Sequence, residues 1–151
     1  MKKFFILPLL LAAVVCLVFN CESAELLAEK SATDETQLSA RFKAIDALDL
    51  AGIKVILNYD ANKASYKNLQ KSRATKSMMH VVNDKKPGQL IIVMASATGQ
   101  KTPDFELFTI TFELAGKKEQ QLPLEIKLSG VEMMSAALTE IPCSPTTFRL
   151  H

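Results

Sequence analysis

Apolar and polar side chains alternate one by one along several separate stretches of this chain. The clearest stretch, residues 107–114, reads LFTITFEL, and residues 38–44, 50–60 and 122–129 follow the same rule. Successive side chains of a β-strand point to opposite faces of a sheet, so this period of two predicts strands that are buried on one face only. A helix would scatter the same apolar residues around its surface, so the chain is expected to assemble by pairing strands.

Two further apolar runs, residues 77–82 and 89–95, flank the sequence NDKKPG, whose Asn, Asp, Pro and Gly residues favour a turn. The two runs predict a β-hairpin. The unbroken run at residues 90–94 predicts a strand that is central in its sheet or covered on both faces. The last strands are predicted at residues 130–134 and 138–141, before Pro142 and Pro145 interrupt regular pairing.

Residues 60–75 are poor in β-branched residues, and Tyr66 and Leu69 lie three positions apart within them. This spacing predicts a crossover connection with a helical turn that both side chains pin to the core. Turn signals recur about every eight to twelve residues and separate about eight or nine short strands. The fold is therefore predicted to be all-β, a β-sandwich of the jelly-roll or Greek-key type.

The N-terminus predicts export. Two lysines precede an apolar run at residues 4–19, which is short for a membrane span and typical of a secretory signal peptide. The small residues Cys21 and Ser23 favour cleavage before Ala24, and lipid attachment at Cys21 is the alternative route. Both routes predict a protein that is secreted, periplasmic or held at the cell surface.

These signals divide the chain into three parts. Residues 1–23 are the predicted signal peptide, residues 24–37 a polar linker without sustained periodicity, and residues 38–151 the sandwich domain. After cleavage Cys143 would be a lone thiol, so a disulfide framework is not expected, although a retained Cys21 without lipid could pair with it. The simplest interpretation of Cys143 is a small buried apolar residue.

Charge and reactive residues exclude several classes of function. Eighteen Lys and Arg against sixteen Asp and Glu leave a formal net charge of +2, so we expect no nucleic-acid partner and no membrane contact beyond a lipid anchor. His80 and His151 have no partners at metal-ligand spacing, and the chain contains no G-x-S-x-G motif. We therefore expect no metal site, no cofactor and no enzyme activity.

The dipeptide Tyr59-Asp60 is interpreted from the residues alone as a structural corner. Its tyrosine is expected to anchor the sheet, and Asp60 is expected to form an Asx turn.

The order of the sequence motifs resembles that of the cohesin family. The matching segments cover most of the chain after residue 37, and they read DLAGIKVILNYDANKASY, IIVMASATG, FTITFELAG, LPLEIKLSGVEMM and a closing EIP. Cohesins have a Leu-x-Gly strand that ends in Tyr-Asp, and Leu50, Gly52, Tyr59 and Asp60 stand at those positions. The resemblance implies a jelly-roll sandwich of about nine strands. It also implies a non-catalytic module that docks a dockerin module in a secreted or cell-surface polysaccharide-degrading assembly.

The resemblance further implies that a partner protein binds one face of a sheet. Many cohesins carry Asn and Asp on the strand before Tyr-Asp, whereas this chain has Gly52 and Lys54 there. Ile56 is an unusually apolar residue among the outward positions of this strand. The candidate partner-binding residues are Gly52, Lys54, Ile56, Asn58 and Thr98.

A carbohydrate-binding module is the alternative, because sugar-binding domains share the sandwich architecture. Such modules usually stack sugars on exposed aromatic rings, and this chain has no Trp. With the phenylalanines of the predicted strands turned inward, Tyr66 and Phe105 are the aromatic residues expected on loops and free to bind a sugar. A structural subunit of an envelope or secretion complex is a third possibility.

Overall fold

Ten β-strands and one helical turn form the fold in the computed structural model, which describes residues 23–144 and 146–151. The elements in chain order are β1 (Glu25–Thr33), β2 (Gln37–Ile45), β3 (Leu50–Tyr59), β4 (Ala64–Lys71), β5 (Met79–Asn83), β6 (Gln89–Ala95), β7 (Phe105–Leu114), α1 (Lys118–Gln121), β8 (Leu124–Ser135), β9 (Glu140–Ile141) and β10 (Thr147–Leu150). Most of the predicted signal peptide and the candidate lipidation site, Cys21, lie outside the described residues.

The strands form two antiparallel sheets. The smaller sheet has the strand order β1-β2-β7-β4, and the larger sheet has the order β10-β8-β3-β6-β5, with β9 attached to β8. Many neighbouring strands are distant in sequence, as Greek-key and jelly-roll connections require. The predicted all-β sandwich is confirmed.

The inward side chains of the two sheets pack into one hydrophobic core. Phe42 of β2 and Phe108 and Phe112 of β7 are completely buried, and the rings of Phe42 and Phe108 lie 5.1 Å apart. Burying each such side chain contributes about 1.5–3 kcal/mol. The larger sheet faces them with Ile53, Val55, Leu57, Leu90, Ile92, Met94, Leu124, Ile126 and Leu128.

The linker predicted at residues 24–37 is wrong, because most of this segment is strand β1. Residues 25–33 pair with β2 along its whole length, and Ala24 and Leu26 are buried in the core. The sequence signal was weak because β1 is an edge strand whose inward residues, apart from Leu26, are small and whose outward residues are often charged. The sandwich edge that this linker would have left uncovered is therefore closed by β1.

The helical turn predicted within residues 60–75 is also wrong. Residues 64–71 form strand β4, which pairs with β7. Tyr66 and Leu69 both pack against the core, as predicted, although an odd spacing would place them on opposite faces of a regular strand. A shift in register between Tyr66 and Asn68 adds one residue and turns both side chains inward, which is the effect of a β-bulge.

The C-terminal strands differ from the prediction in two ways. Strand β8 continues through the region that was predicted as two strands, with a register shift at Ser129 where one extra residue is accommodated. Strand β10 lies beyond Pro142 and Pro145, where regular pairing was expected to end, and it pairs with β8.

The predicted corner at Tyr59 and Asp60 ties three segments together. The Tyr66 N–H donates to the Tyr59 hydroxyl at 3.2 Å, and the Tyr59 ring packs edge-on against Phe112 at 5.0 Å. The Asp60 carboxylate accepts the N–H of Asn62 at 2.9 Å, which is the predicted Asx turn. The Tyr59 N–H donates to the carbonyl of Gly88, which has a φ of 77° and approaches so closely that a Cβ there would lie 2.8 Å from the Tyr59 carbonyl.

The contribution of strand β1 to the hydrophobic core can be tested by mutation. We expect Leu26→Ala to lower the free energy of unfolding by about 2–5 kcal/mol, because it leaves a cavity in the core. The matched control is Leu27→Ala, which removes the same atoms from a partly exposed neighbour and should cost much less. Urea unfolding of both variants measures the difference, and equally small effects would contradict a core role for β1.

The corner hydroxyl can be tested separately from its ring. We expect Tyr59→Phe to lower the free energy of unfolding by about 1 kcal/mol, because the Tyr66 N–H loses its acceptor while the packing against Phe112 remains. Thermal and urea unfolding measure this change. A variant as stable as the wild type would show that the hydroxyl does not hold the corner.

Candidate functional site

The outer face of the larger sheet carries four of the six large apolar residues that are exposed in the described part of the chain, and the other two, Leu48 and Leu138, lie in loops. Pairing of β8, β3, β6 and β5 aligns their outward residues in successive rows across the sheet. The first row is Met134, Gly52, Ala95 and Met79, the second is Glu132, Lys54, Val93 and Val81, and the third is Gly130, Ile56, Ile91 and Asn83. We call the surface formed by these three rows the open face.

Apolar exposure is high on this face. Met79 is 77% exposed, Val81 67%, and Val93 and Met134 42% each. Contiguous exposed apolar surface is rare on a monomeric protein and marks interaction sites, because water penalises it unless a partner covers it. The open face therefore has the character of a binding surface.

The outer face of the smaller sheet has the opposite character. Its strands carry charged and hydroxyl side chains, and these include the ion pairs Lys43–Glu29 at 2.8 Å and Arg41–Glu106 at 3.3 Å. The hydroxyls of Ser39 and Thr111 lie 3.1 Å apart on the same face. This is an ordinary solvated sheet surface.

One ion pair lies within the open face. The Lys54 ammonium contacts the Glu132 carboxylate at 2.7 Å, so the two charges compensate each other inside the surface. Gly52 has no side chain, and a shallow cavity of about 210 Å³ lies beside it, lined also by Val93 and Met134. The centre of the open face is thus slightly recessed, mainly apolar and without net charge.

Polar groups border the open face beyond its third row. The Asn58 amide donates to the Ser129 hydroxyl at 2.7 Å and accepts from the Gln89 amide at 3.0 Å. These groups are already paired within the chain. They have less to offer a partner than the apolar rows beside them.

The other end of the open face continues into two loops. Thr98, in the loop after β6, is exposed, and its N–H donates to the Ser96 hydroxyl at 3.2 Å. Cavities of about 350 and 560 Å³ lie on either side of Ala95 and Ser96 and reach Leu138 and Met79 respectively. Apolar surface therefore extends past the ends of the strands.

The predicted partner-binding residues lie on or beside this one surface. Gly52, Lys54, Ile56 and Asn58 occupy successive outward positions of β3, and Thr98 lies beyond its first row. The candidate site predicted from the sequence did not include the exposed residues of the neighbouring strands, which are Met79, Val81, Val93 and Met134. The unbroken run at residues 90–94 was the available signal, because β6 is central in its sheet yet has an open outer face.

The two aromatic residues of the carbohydrate alternative lie apart, and neither is on a loop. Phe105 begins β7 and is only 9% exposed, because its ring belongs to the core. Tyr66 lies on β4 opposite Phe112, so the two are separated by about 23 Å along β7. They cannot form one stacking platform.

Tyr66 borders a cavity of about 220 Å³ near the corner. Its other lining residues include Tyr59, Asp84, Pro87 and Gly88. Burial, and secondarily the Asp84 carboxylate, raises the pKa of the Tyr66 phenol.

The reactive residues of the described chain are scattered. His80 is an exposed residue of β5, and no group of three His, Cys, Asp or Glu side chains gathers at metal-binding distance within residues 23–144 and 146–151. Burial raises the pKa of the Cys143 thiol. The part of the chain that the structure covers contains no helix long and apolar enough to cross a bilayer.

Sequence comparisons return nothing for this chain. No protein-family model matches it, and no curated protein matches it significantly.

Solved structures share its fold. A non-cellulosomal cohesin from Archaeoglobus fulgidus superposes with a TM-score of 0.67 at 18% identity, covering 85% of this chain and 91% of that one. A cohesin module of a family 33 glycoside hydrolase from Clostridium perfringens gives a TM-score of 0.70 at 10% identity, with 85% and 95% covered. The sixth cohesin of scaffoldin B from Acetivibrio cellulolyticus gives 0.69 at 15% identity, with 85% and 96% covered. The chain has the fold of the cohesin modules.

Proposed function

We propose that this protein is an exported, non-catalytic module of the cohesin type that docks a partner protein through the open face. The observation that carries the proposal is the concentration of exposed apolar residues there, while the outer face of the smaller sheet is polar and internally paired. Covering such a surface with a partner removes apolar area from water, which is the main driving force of protein association.

Solved structures of the same fold support a protein as the ligand. The Acetivibrio cellulolyticus cohesin was solved in complex with a Cel5 dockerin. Two Clostridium thermocellum structures are likewise type I cohesin–dockerin complexes. We infer that the partner of this chain is a dockerin-type or other protein module.

The open face differs from the surface that the resemblance implies for cohesins of cellulose-degrading assemblies. Lys54 stands where a polar or acidic residue is common, and Glu132 neutralises it. A partner selected for an acidic strand would meet the wrong charge, and such mismatches are costly at an interface. The partner is therefore expected to differ from the dockerins of those assemblies in its contact residues.

Export is part of the proposal and rests on the sequence. Two lysines followed by the apolar run at residues 4–19 are typical of a signal peptide, with cleavage before Ala24 or lipid attachment at Cys21 as the two routes. A module released or anchored outside the cytoplasm would meet an extracellular or envelope partner.

The docking proposal is tested by charging the centre of the open face. We expect the double variant Ile56→Lys with Val93→Lys to lose its partner, because two unpaired charges would be buried under it. The immobilised mature protein is passed over the secreted proteome of its source organism and over insoluble polysaccharides, with and without calcium. Retained proteins are identified by mass spectrometry and then produced pure for titration.

The matched control adds the same charge to the other sheet. Ser65→Lys with Gln70→Lys places two lysines at exposed positions of β4 and should leave binding unchanged. Both double variants are checked for thermal unfolding close to that of the wild type. If the partner binds the Ile56→Lys, Val93→Lys variant as tightly as the wild type, the proposal is overturned. Retention of the protein on a polysaccharide alone would also overturn it.

Salt dependence separates an apolar interface from an electrostatic one. We expect the affinity for the purified partner to change little between about 50 mM and about 500 mM sodium chloride, because screening acts on charges and the only pair on the open face is internally compensated. Titration calorimetry at both concentrations measures this. A steep loss of affinity at high salt would point to charged contacts outside the open face.

A further inference from the structure

Strand β5 is a free edge of the larger sheet. It pairs with β6 on one side, and no strand of the described part of the chain lies on its other side. Its sequence, MHVVN, contains no Lys, Arg, Asp, Glu or Pro, and its pairing with β6 continues without a shift in register. All but one of its residues are exposed, so the smaller sheet does not cover this strand.

The outermost strands β1, β4 and β10 differ from β5. Natural sheets protect their edges with charges, prolines and bulges, because an unpaired strand edge can pair with another chain. The register of β1 shifts after Lys30, and that of β4 shifts after Tyr66. The three strands also carry charged residues, which include Glu25, Glu29 and Lys30 on β1, Lys67 and Lys71 on β4, and Arg149 on β10. Strand β5 has none of these protections.

The hydrogen bonds between β3 and β6 establish which backbone groups of β6 face β5. The Ser96 N–H donates to the Ala51 carbonyl at 2.8 Å, and the Tyr59 N–H donates to the Gly88 carbonyl at 2.9 Å. Both bonds continue the register of the two strands. In an antiparallel ladder every second residue bonds to the same neighbour. The even-numbered residues of β6 therefore bond to β3, and the odd-numbered residues face β5.

The same rule identifies the open backbone groups of β5. Its odd-numbered residues stand opposite odd-numbered residues of β6, so the N–H and C=O groups of His80 and Val82 point away from the sheet. In the described part of the chain, no backbone hydrogen bond outside the strand ladders reaches them. The open stretch begins at His80, because the Met78 carbonyl accepts from the Lys71 ammonium at 2.6 Å and the Met78 N–H donates to the Thr75 carbonyl at 3.0 Å.

We propose that this protein forms a homodimer in which the β5 strands of two copies pair antiparallel at their free edges, with the twofold axis at Val81. A second copy fits this edge because antiparallel pairing about a twofold axis brings the same donors and acceptors together from both sides. The dimer joins the larger sheets of the two copies into one sheet. The inference does not depend on the docking proposal, because it uses the edge of the sheet and not its outer face.

The open backbone groups determine the register of the pair. With the axis at Val81, His80 of each copy lies opposite Val82 of the other, and every open group of both strands has a partner. An axis at His80 would place Val82 opposite Met78, whose backbone groups are already bonded. An axis at Val82 would place His80 opposite Asp84, which lies beyond the end of the strand.

The side chains of β5 are compatible with this register. The two copies of Val81 form a non-hydrogen-bonded pair, in which side chains approach most closely. Val81 is 67% exposed and Met79 is 77% exposed in the single chain, so pairing removes apolar surface from water. No like charges face each other along the paired strands. A five-residue edge is short compared with interfaces that bury about 1,200–2,000 Å², so the dimer should be weak and depend on concentration.

A charge exchange at the twofold axis tests the pairing. We expect sedimentation velocity of the mature protein to show a shift from monomer to dimer between about 5 µM and about 500 µM. Val81→Lys and Val81→Glu should each remain monomeric, because like charges would face each other. An equimolar mixture of the two variants should dimerise again. Thermal unfolding close to that of the wild type shows that each variant is folded.

The matched control places the same charge elsewhere on the larger sheet. Met134 is an exposed apolar residue of β8, on the far side of the open face from β5. Met134→Lys should therefore dimerise like the wild type.

Cross-linking tests the register. In a Cys143→Ser background, oxidised glutathione should convert Val81→Cys into a covalent dimer, because the paired Cα atoms would lie about 4.5 Å apart, within the range of a disulfide. Met79→Cys is the control, since the two copies of residue 79 would lie about 13 Å apart along the strands. It should remain monomeric although residue 79 is the more exposed of the two.

Three results would overturn the inference. The first is a monomer throughout the concentration range. The second is a dimer that Met134→Lys disrupts as strongly as Val81→Lys, because the contact would then lie on the open face. The third is equal cross-linking of Val81→Cys and Met79→Cys. None of these results decides whether a partner docks, since capture of that partner is measured separately with Ile56→Lys and Val93→Lys.

Discussion

The packing of the two inner sheet faces is the interaction on which the rest of this structure depends. Phe42, Phe108 and Phe112 are completely buried between the sheets, and the apolar side chains of most other strands turn inward to pack with them. Once β3 buries Val55 and Leu57, the strand period of two leaves Lys54 and Ile56 outside. The residues on the outer faces are then not constrained by packing in the hydrophobic core. Apolar residues there contribute little to the stability of the free chain, and their presence needs a different explanation.

The contrast between the two outer faces supplies that explanation. One sheet is covered by paired charges and hydroxyls, whereas the other carries Met79, Val81 and Val93 in the open. Within the described part of the chain, three non-glycine residues have a positive φ and lie in loops outside the strands: Asp46, Asp49 and Leu138. The leucine borders the open face. Backbone strain and exposed apolar surface both lower the stability of the folded chain. In natural proteins both features are concentrated at functional sites.

Sequence patterns predicted the strands that alternate strongly and missed those that depend on distant partners. Strands β2, β3 and β7 were evident because large inward residues alternate with polar ones. Strand β1 was hidden because it is an edge strand with only small residues and one leucine inward, and β10 because proline residues precede it. In β4 the bulge after Tyr66 breaks the period, so Tyr66 and Leu69 looked helical although both face the core. The sequence predicted that Lys54 and Ile56 point outward from β3. It could not predict which residues of the adjacent strands lie beside them.

The amino-acid sequence by itself determined the fold class and the inward or outward direction of most side chains, because both follow from the local period of two. It also predicted the Asx turn at Asp60, which depends on residues adjacent in the chain. Only the tertiary structure decided that Met134, Gly52, Ala95 and Met79 form one row, although these residues lie far apart in the chain. Strand order and register are set by long-range packing of the core. The residue pattern of a single strand therefore does not reveal a surface that four strands form together.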